Sequence, residues 1–352
     1  MKERIKVLHI LNTGSYSGAE NVVITLINNT KSKVKGIYCS LDGTIRDVLY
    51  ENDIHFEPVN KLSIDEIKKV IKKVKPDIIH AHDFTAGIIC SLAAGNIPVI
   101  NHLHNNSPWL KNYCIKSFVY AYCCRKFKKI LTVSDSVMDE FVFGKKMKDK
   151  TLVVGNPIDL SNILSKADIN ADKKYDIAFL GRLTEAKAPE VFVDIISQVK
   201  KQNKNIKAIM IGDGELRGKV ETEIEKFNLN DNIDLVGFQK NPYTFLVQSK
   251  ILCMPSKWEG FGLAAVEALA YKLPVVASQV GGLKNIINDS CGKLCSNVDE
   301  FVDELLKLLN ENEYYNNKRV GAYKRAQEYD NIELYSKKII SIYSELSNRE
   351  IS

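Results

Sequence analysis

The sequence predicts an α/β protein made of two Rossmann-like domains, each a parallel sheet covered by helices. Three observations predict it. The chain has 352 residues, 45% hydrophobic and 26% charged, which exceeds the roughly 250–300 residues at which one core stops growing. Short apolar runs alternate with amphipathic stretches, the β-α-β grammar of a parallel sheet. That alternation lapses over the polar residues 156–174 and then restarts.

The elements follow in order. Residues 7–11 read as a strand and 19–28 as a helix, then 36–40 as a strand and 64–74 as a helix. A strand at 77–80, a helix at 86–94 and strands at 99–103 and 129–133 complete the first half. In the second half 176–180, 207–211, 232–236, 251–254 and 274–277 are strand-like, with helices between them. From Phe301 onward the pattern is helical. Domains are expected over 1–163 and 164–334. Ligands of such sheets sit beyond the carboxyl ends of the strands, and two sheets facing across a cleft make a small-molecule site.

Composition narrows the function. No apolar run reaches the roughly 20 residues that span a bilayer, and the apolar start at 5–11 reads as a strand, not a signal peptide. The eight cysteines include no C-x-x-C pair, so reduced thiols and a cytoplasmic location are expected. Cys291 and Cys295 have no second Cys or His pair near them to complete a metal site. The net charge of +6 is uneven: residues 1–160 hold 23 Lys+Arg against 16 Asp+Glu. An anionic membrane surface or a solvated helix face accounts for this; no nucleic-acid motif accompanies it, so nucleic acid is not an expected partner.

Glu259-Gly260-Phe261-Gly262-Leu263 follows a strand and opens a helix, with Glu267 two turns in. A helix N-terminus suits a phosphate, and glycines let a ligand approach the backbone. Two carboxylates suit the hydroxyls of a sugar and a ribose. Gly181-Arg182-Leu183 follows the strand at 176–180, with Lys187 near the next helix; an Arg fork plus a Lys point charge suits a diphosphate. The loop 14–20, with Ser17 and Gly18, suits an anion or sugar, or places a helix cap at Ser17. Gly212-Asp213-Gly214 reads as a tight turn, not a dinucleotide loop. Two H-x-H pairs, His80/His82 and His102/His104, sit at strand ends. A metal site and a set of hydrogen-bond donors in a cleft are both open for them. No two Asp residues stand two apart, so no D-x-D pair holds a metal against a diphosphate.

Taken together these motifs resemble the family-4 (group 1) GT-B glycosyltransferases along nearly the whole chain, in particular those of bacterial exopolysaccharide and capsule synthesis. Glu259 to Glu267 matches the family's E-x7-E motif, and Gly181-Arg182-Leu183 with Lys187 its phosphate grip. Ser17-Gly18-Ala19-Glu20 matches the amino-terminal loop, and Gly155-Asn156-Pro157-Ile158-Asp159 the lead into the linker. The family often has Lys-Gly after the phosphate lysine; here Ala188-Pro189 follows, and a proline at a helix start is tolerated, so the grip is expected to survive.

The resemblance implies a GT-B fold and a retaining hexosyl or N-acetylhexosaminyl transfer from a nucleotide-sugar, a UDP-sugar by association, without metal or cofactor. Arg182 and Lys187 would grip the diphosphate, Glu267 the ribose and Glu259 the sugar. His104 would contact the sugar near the reacting centre, Gly18 would line the phosphate side, and Phe238 would lie near the base. Gly181, Gly260, Phe261, Gly262 and Leu263 complete the donor side. Ser17, His82, Asn105 and Trp109 would face the acceptor, a saccharide or lipid-linked saccharide. A last helix, about 335–352, would cross back to the first domain. The basic, aromatic stretch from Trp109 to Lys129 suggests peripheral contact with the inner face of an anionic plasma membrane. A metal-dependent hydrolase built on the H-x-H pairs, a non-catalytic sugar-nucleotide-binding subunit and a sugar-nucleotide epimerase are the rival readings.

Overall fold

The computed structural model describes residues 4–349. It divides into two compact units, residues 1–157 with 331–352, and residues 158–330.

The first unit carries a seven-stranded parallel sheet. Its strands are β1 (Ile5–Ile10), β2 (Val34–Leu41), β3 (His55–Val59), β4 (Ile78–Ala81), β5 (Val99–Leu103), β6 (Lys129–Thr132) and β7 (Thr151–Val153). Their order is β3-β2-β1-β4-β5-β6-β7, so the winding reverses between β1 and β4, the switch point where doubly wound sheets bind ligands. Each of β1, β4 and β5 repeats one pattern at every second residue. Ile5, Val7 and His9 share a face of β1; Ile78 and His80 share one in β4; Ile100 and His102 share one in β5. The apolar members cluster with Tyr335, Ile339, Ile342 and Tyr343 of the helix Ile332–Ser347. Burying each such side chain stabilises the unit by roughly 1.5–3 kcal/mol.

The second unit carries a six-stranded parallel sheet, β10-β9-β8-β11-β12-β13. Its strands are β8 (Tyr175–Leu180), β9 (Ala208–Ile211), β10 (Ile233–Gly237), β11 (Ser249–Met254), β12 (Val275–Ser278) and β13 (Gly292–Cys295). Phe179, Phe192, Ile196, Met210 and Leu305 lie in its core.

Three strands escape the sequence pattern. β3 contains Pro58 and alternates poorly, and β7 and β13 span only three and four residues. Pro58 is accommodated because β3 is an edge strand. The unit boundaries also differ from the expected 163/164 and 334/335, falling at 157/158 and 330/331. The reason is local. Asp159 caps the helix Leu160–Leu164, accepting from the Asn162 amide at 2.9 Å. The Leu160 amide donates to Asp330 at 3.3 Å, and the Tyr271 hydroxyl donates to the Ile163 carbonyl. These bonds tie residues 158–163 to the second unit. Asn331 in turn donates to the Asn156 carbonyl at 3.1 Å, so the chain re-enters the first unit there.

Candidate active site

In the second unit the loop after β8 and the loop before the helix Leu263–Ala270 meet. Lys187 forms an ion pair with the Glu259 carboxylate, both side chains being mostly buried. The Lys257 amide donates to the Ala186 carbonyl at 2.9 Å, holding the same two loops together. Arg182 is exposed, and its guanidinium makes no hydrogen bond or ion pair with a described residue. An unneutralised cation thus stands beside a neutralised one, an arrangement that admits a dianionic group.

Glu267 lies in the helix Leu263–Ala270 and accepts a 2.9 Å hydrogen bond from the Tyr243 hydroxyl. Burial raises its pKa, opposed by that hydroxyl and by the charges of Lys166 and Lys187. Although the residue keeps some solvent contact, its carboxyl group lies in low-dielectric surroundings. Gly262 stands at the N-cap with φ of +107°, a conformation that an L side chain resists. A Cβ there would also lie 2.8 Å from Leu283. Phe261 is buried edge-on against Tyr329, at 5.9 Å between ring centroids. Leu263 is the first helical residue. Phe238 follows β10 and is 55% exposed.

Two glycine pairs outside the expected set shape these loops. A Cβ on Gly281 would sit 1.7 Å from the Glu259 carbonyl oxygen, and one on Gly282 would sit 2.4 Å from that of Phe261. The Gly282 amide donates to Glu259 at 3.2 Å. A Gly-Gly dipeptide just after a strand was the available signal. Gly212 and Gly214, read as a turn, back the loop after β8 in the same way, their Cβ positions lying 2.0 Å from the Gly181 and 2.5 Å from the Leu183 carbonyl oxygens. The Leu183 amide donates to Asp213 at 2.9 Å and the Gly181 amide to Ile211 at 3.0 Å. Ala188 takes the left-handed φ of +47° immediately before Pro189 starts its helix, the conformation that glycine adopts without cost.

In the first unit Ser17 stands at the N-cap of the helix Gly18–Thr30, but its hydroxyl caps no backbone amide. It donates instead to the Glu20 carboxylate. Gly18 is the first residue of that helix. The H-x-H pairs come together with a histidine that the sequence did not single out. His9 lies directly across from His80 in the β1–β4 register. His9 Nδ1 is 3.0 Å from His82 Nε2, and His82 Nδ1 is 3.1 Å from His104 Nε2. His80 Nδ1 meets the Tyr343 hydroxyl at 2.6 Å. Burial pushes the His9 and His104 pKa values down to about 3. Burial, then mutual repulsion among the rings, lowers those of His80, His82 and His102. The cluster is therefore neutral near pH 7. Asp83 caps the helix Phe84–Ala93 through the Ala86 amide at 2.6 Å. Asn105 is exposed, whereas Trp109 packs edge-on against Phe84 at 5.0 Å. The eight cysteines are unpaired, and among the described residues the groupings with metal-ligand spacing contain only histidines. A separate cavity of about 860 Å³, lined by Lys293, Lys307, Lys318 and Arg325 among others, holds none of the expected site residues.

Comparison with known proteins agrees with this architecture. The model of Glycosyltransferase Family 4 matches residues 16–162, and that of Glycosyl transferases group 1 matches residues 162–327. The chain belongs to the group 1 GT-B glycosyltransferases. An uncharacterized glycosyltransferase of Methanocaldococcus jannaschii is 30% identical over 60% of this chain, a match that spans 58% of the relative's own length. The UDP-Gal:alpha-D-GlcNAc-diphosphoundecaprenol alpha-1,3-galactosyltransferase of Escherichia coli is 24% identical, over 88% of this chain and 89% of its own. Among solved structures, Anabaena HepE in complex with UDP and glucose shares the fold. Its TM-score is 0.83 at 19% identity, over 97% of this chain and 100% of that one. Neither a hydrolase nor a non-catalytic binding subunit is favoured for this glycosyltransferase by these matches.

Proposed function

We propose that this glycosyltransferase moves a hexosyl or N-acetylhexosaminyl group from a UDP-sugar to a saccharide or lipid-linked saccharide acceptor, with retention of configuration and without a metal, in surface polysaccharide synthesis. The observation that carries the reading is the exposed, unpaired Arg182 on the loop that also bears Lys187, itself paired with Glu259 of the neighbouring loop. In transfer, the bond from the anomeric carbon to the β-phosphate oxygen breaks, and one to an acceptor hydroxyl forms. The acceptor hydroxyl passes its proton to the departing diphosphate oxygen, whose negative charge grows as the bond to the anomeric carbon breaks. Arg182 and Lys187 meet that charge; charge-assisted bonds of this kind are worth roughly 1.5–3 kcal/mol each. Glu259, released from Lys187, takes the sugar hydroxyls. Glu267, held by Tyr243, takes the ribose. His104 touches the sugar as a neutral imidazole.

The galactosyltransferase relative's lipid-linked acceptor supports a membrane-borne acceptor here, and the first unit carries a suitable surface. Tyr113, Ile115, Phe118 and Tyr122 are more than half exposed in and beside the helix Ile115–Cys124. Lys116, Arg125 and Lys126 flank them. Aromatic and aliphatic side chains interleaved with cations suit the interface of an anionic leaflet. No helix among the described residues is long and apolar enough to cross a membrane.

Calorimetry with UDP, GDP, ADP and NAD, with Arg182→Ala alongside, tests the donor reading. UDP is expected to bind native protein and to bind Arg182→Ala at least tenfold more weakly, since about 1.4 kcal/mol is a factor of ten. Absence of binding by any nucleotide overturns it. Flotation with anionic vesicles tests the membrane face; salt-insensitive or absent binding overturns that part.

A further inference from the structure

Five of the six histidines, His9, His80, His82, His102 and His104, stack into one group on the first unit's sheet. Only His55, on the edge strand β3, lies outside it. Grouping that many imidazoles in a core is costly unless their nitrogens have partners, because an unmet buried polar atom costs about 1–3 kcal/mol. Here several are unmet. His102 is fully buried, and neither of its ring nitrogens has a partner among the described residues. His80 Nε2 and His104 Nδ1 are also buried without one. A neutral imidazole always carries one N–H and one lone pair, so His102 buries both with nothing to bond.

We propose that His82, His102 and His104 form a binding site for one zinc-type divalent transition-metal ion, with His9 as the outer partner that orients His82. The three residues each bring a ring nitrogen within 4.8 Å of the others. Nitrogens bound at about 2.0–2.1 Å stand about 3.4 Å apart at the tetrahedral angle. The His82 Nδ1 to His104 Nε2 separation of 3.1 Å is already close to that value. The trio His9, His80 and His82 meets the same spacing, but it is the poorer candidate. His80 Nδ1 is committed to Tyr343 at 2.6 Å, and those three residues are all fully enclosed. His104 retains solvent contact and so gives the ion a way in.

The His82 tautomer is consistent with ligation. His82 binding through Nδ1 carries its proton on Nε2, where it donates to His9 Nδ1 at 3.0 Å. Ligating histidines nearly always make such an outer bond, which fixes ring orientation. An all-imidazole site suits zinc, cobalt, nickel or copper and not the oxygen-seeking magnesium or calcium. The site belongs to the first unit, whereas Arg182 and Lys187 belong to the second. It shares His104 with the sugar contact proposed above and His82 with the acceptor side, so a bound ion would compete with the sugar for His104; the metal titration is therefore read without donor or acceptor.

The test is calorimetric titration of chelator-treated full-length protein with Zn²⁺, and with Co²⁺ as a spectroscopic probe. One ion per chain is expected. His102→Ala should weaken binding more than about 100-fold, and His9→Ala by about 10–100-fold, as for an outer partner. His55→Ala should leave it unchanged. In the native Co²⁺ adduct, paramagnetic broadening should fall on the imidazole protons of His82, His102 and His104, which decides the matter even where His102→Ala does not fold. The proposal is overturned if the native chain binds neither ion or if His102→Ala and His82→Ala both fold and bind as well as native. A thiolate charge-transfer band, or broadening centred on His55, overturns it equally, since the ion then lies on a cysteine or on the surface.

Discussion

Replacing Gly212 by alanine should damage the loop after β8, which carries the proposed phosphate grip, without replacing any residue proposed to meet the donor. Its φ is +138°, and a Cβ would lie 2.0 Å from the Gly181 carbonyl oxygen. Contacts under 3.0 Å force a shift, so one loop must retreat by about 1 Å. The partner atom is backbone, and no side-chain rotation relieves it. Holding an L residue in a left-handed conformation costs roughly 1–2 kcal/mol. The retreat also strains the Gly181 amide bond to Ile211, at 3.0 Å, and the Leu183 amide bond to Asp213, at 2.9 Å; each is worth about 0.5–1.5 kcal/mol. The loss is therefore about 2–5 kcal/mol, a sizeable part of the 5–15 kcal/mol that domains possess. Urea unfolding reads it through Trp258, the second unit's tryptophan, in a Trp109→Phe background. With a slope of about 2 kcal/mol per molar, the midpoint should fall by about 1–2.5 M. UDP affinity should fall with it, as Arg182 moves. Gly218→Ala is the control. No atom lies within 4 Å of its Cβ position and the residue is helical, so stability should rise by about 0.5 kcal/mol. Equal midpoints for Gly212→Ala and the parent, with unchanged UDP affinity, would refute the claim that these glycines set the loop.

Other expectations concern single side chains. Lys187→Ala should cut donor turnover at least tenfold, as should Arg182→Ala; steady-state kinetics unchanged in both would remove them from the phosphate site. Ala188→Gly should change the stability of the second unit by less than about 1 kcal/mol, because relief of the φ of +47° is offset by loss of a fully buried methyl; a urea midpoint lowered as far as for Gly212→Ala contradicts this. Glu267 has its pKa raised in the folded state. The native chain therefore holds its proton as pH rises above the ordinary value of about 4.3, while the unfolded chain releases it. Stability then falls with rising pH until the folded pKa is passed. Glu267→Gln should remove that part of the slope in urea titrations across pH 4–7, and an unchanged slope would locate the effect elsewhere.

The residues proposed for the donor side carry local sequence signals, and the structure keeps them on neighbouring loops. Glu259, Gly262 and Glu267 lie within nine consecutive residues that carry a strand end, a loop and a helix start, so spacing alone places them. Arg182 and Lys187 are likewise five apart on one loop. What supports them comes from farther along the chain. Tyr243 reaches Glu267 across 24 positions, and Gly281 comes up under Glu259 from another strand end. Neither relation leaves a period or a spacing to read. The edge strand β3 was lost to Pro58, and the short strands β7 and β13 are too brief to show alternation.

The histidines show where strand order adds information that a linear reading lacks. Each H-x-H pair was visible, and i, i+2 spacing put each on one face of its own strand. His9 alone in β1 gave no signal, being separated by 73 positions from its nearest partner, His82. In the order β3-β2-β1-β4-β5 the switch point sets β1 against β4, and the register sets His9 against His80 and His80 against Ile100. Three strands that each run from isoleucine to histidine on one face then deliver their histidines to one end of the sheet. The apolar ends are covered by the helix Ile332–Ser347, whose Tyr343 closes on His80. A sheet with β1 away from β4 would have kept the four paired histidines on β4 and β5 and lost His9 from the group, so the group of five is a property of topology acting on a two-residue repeat.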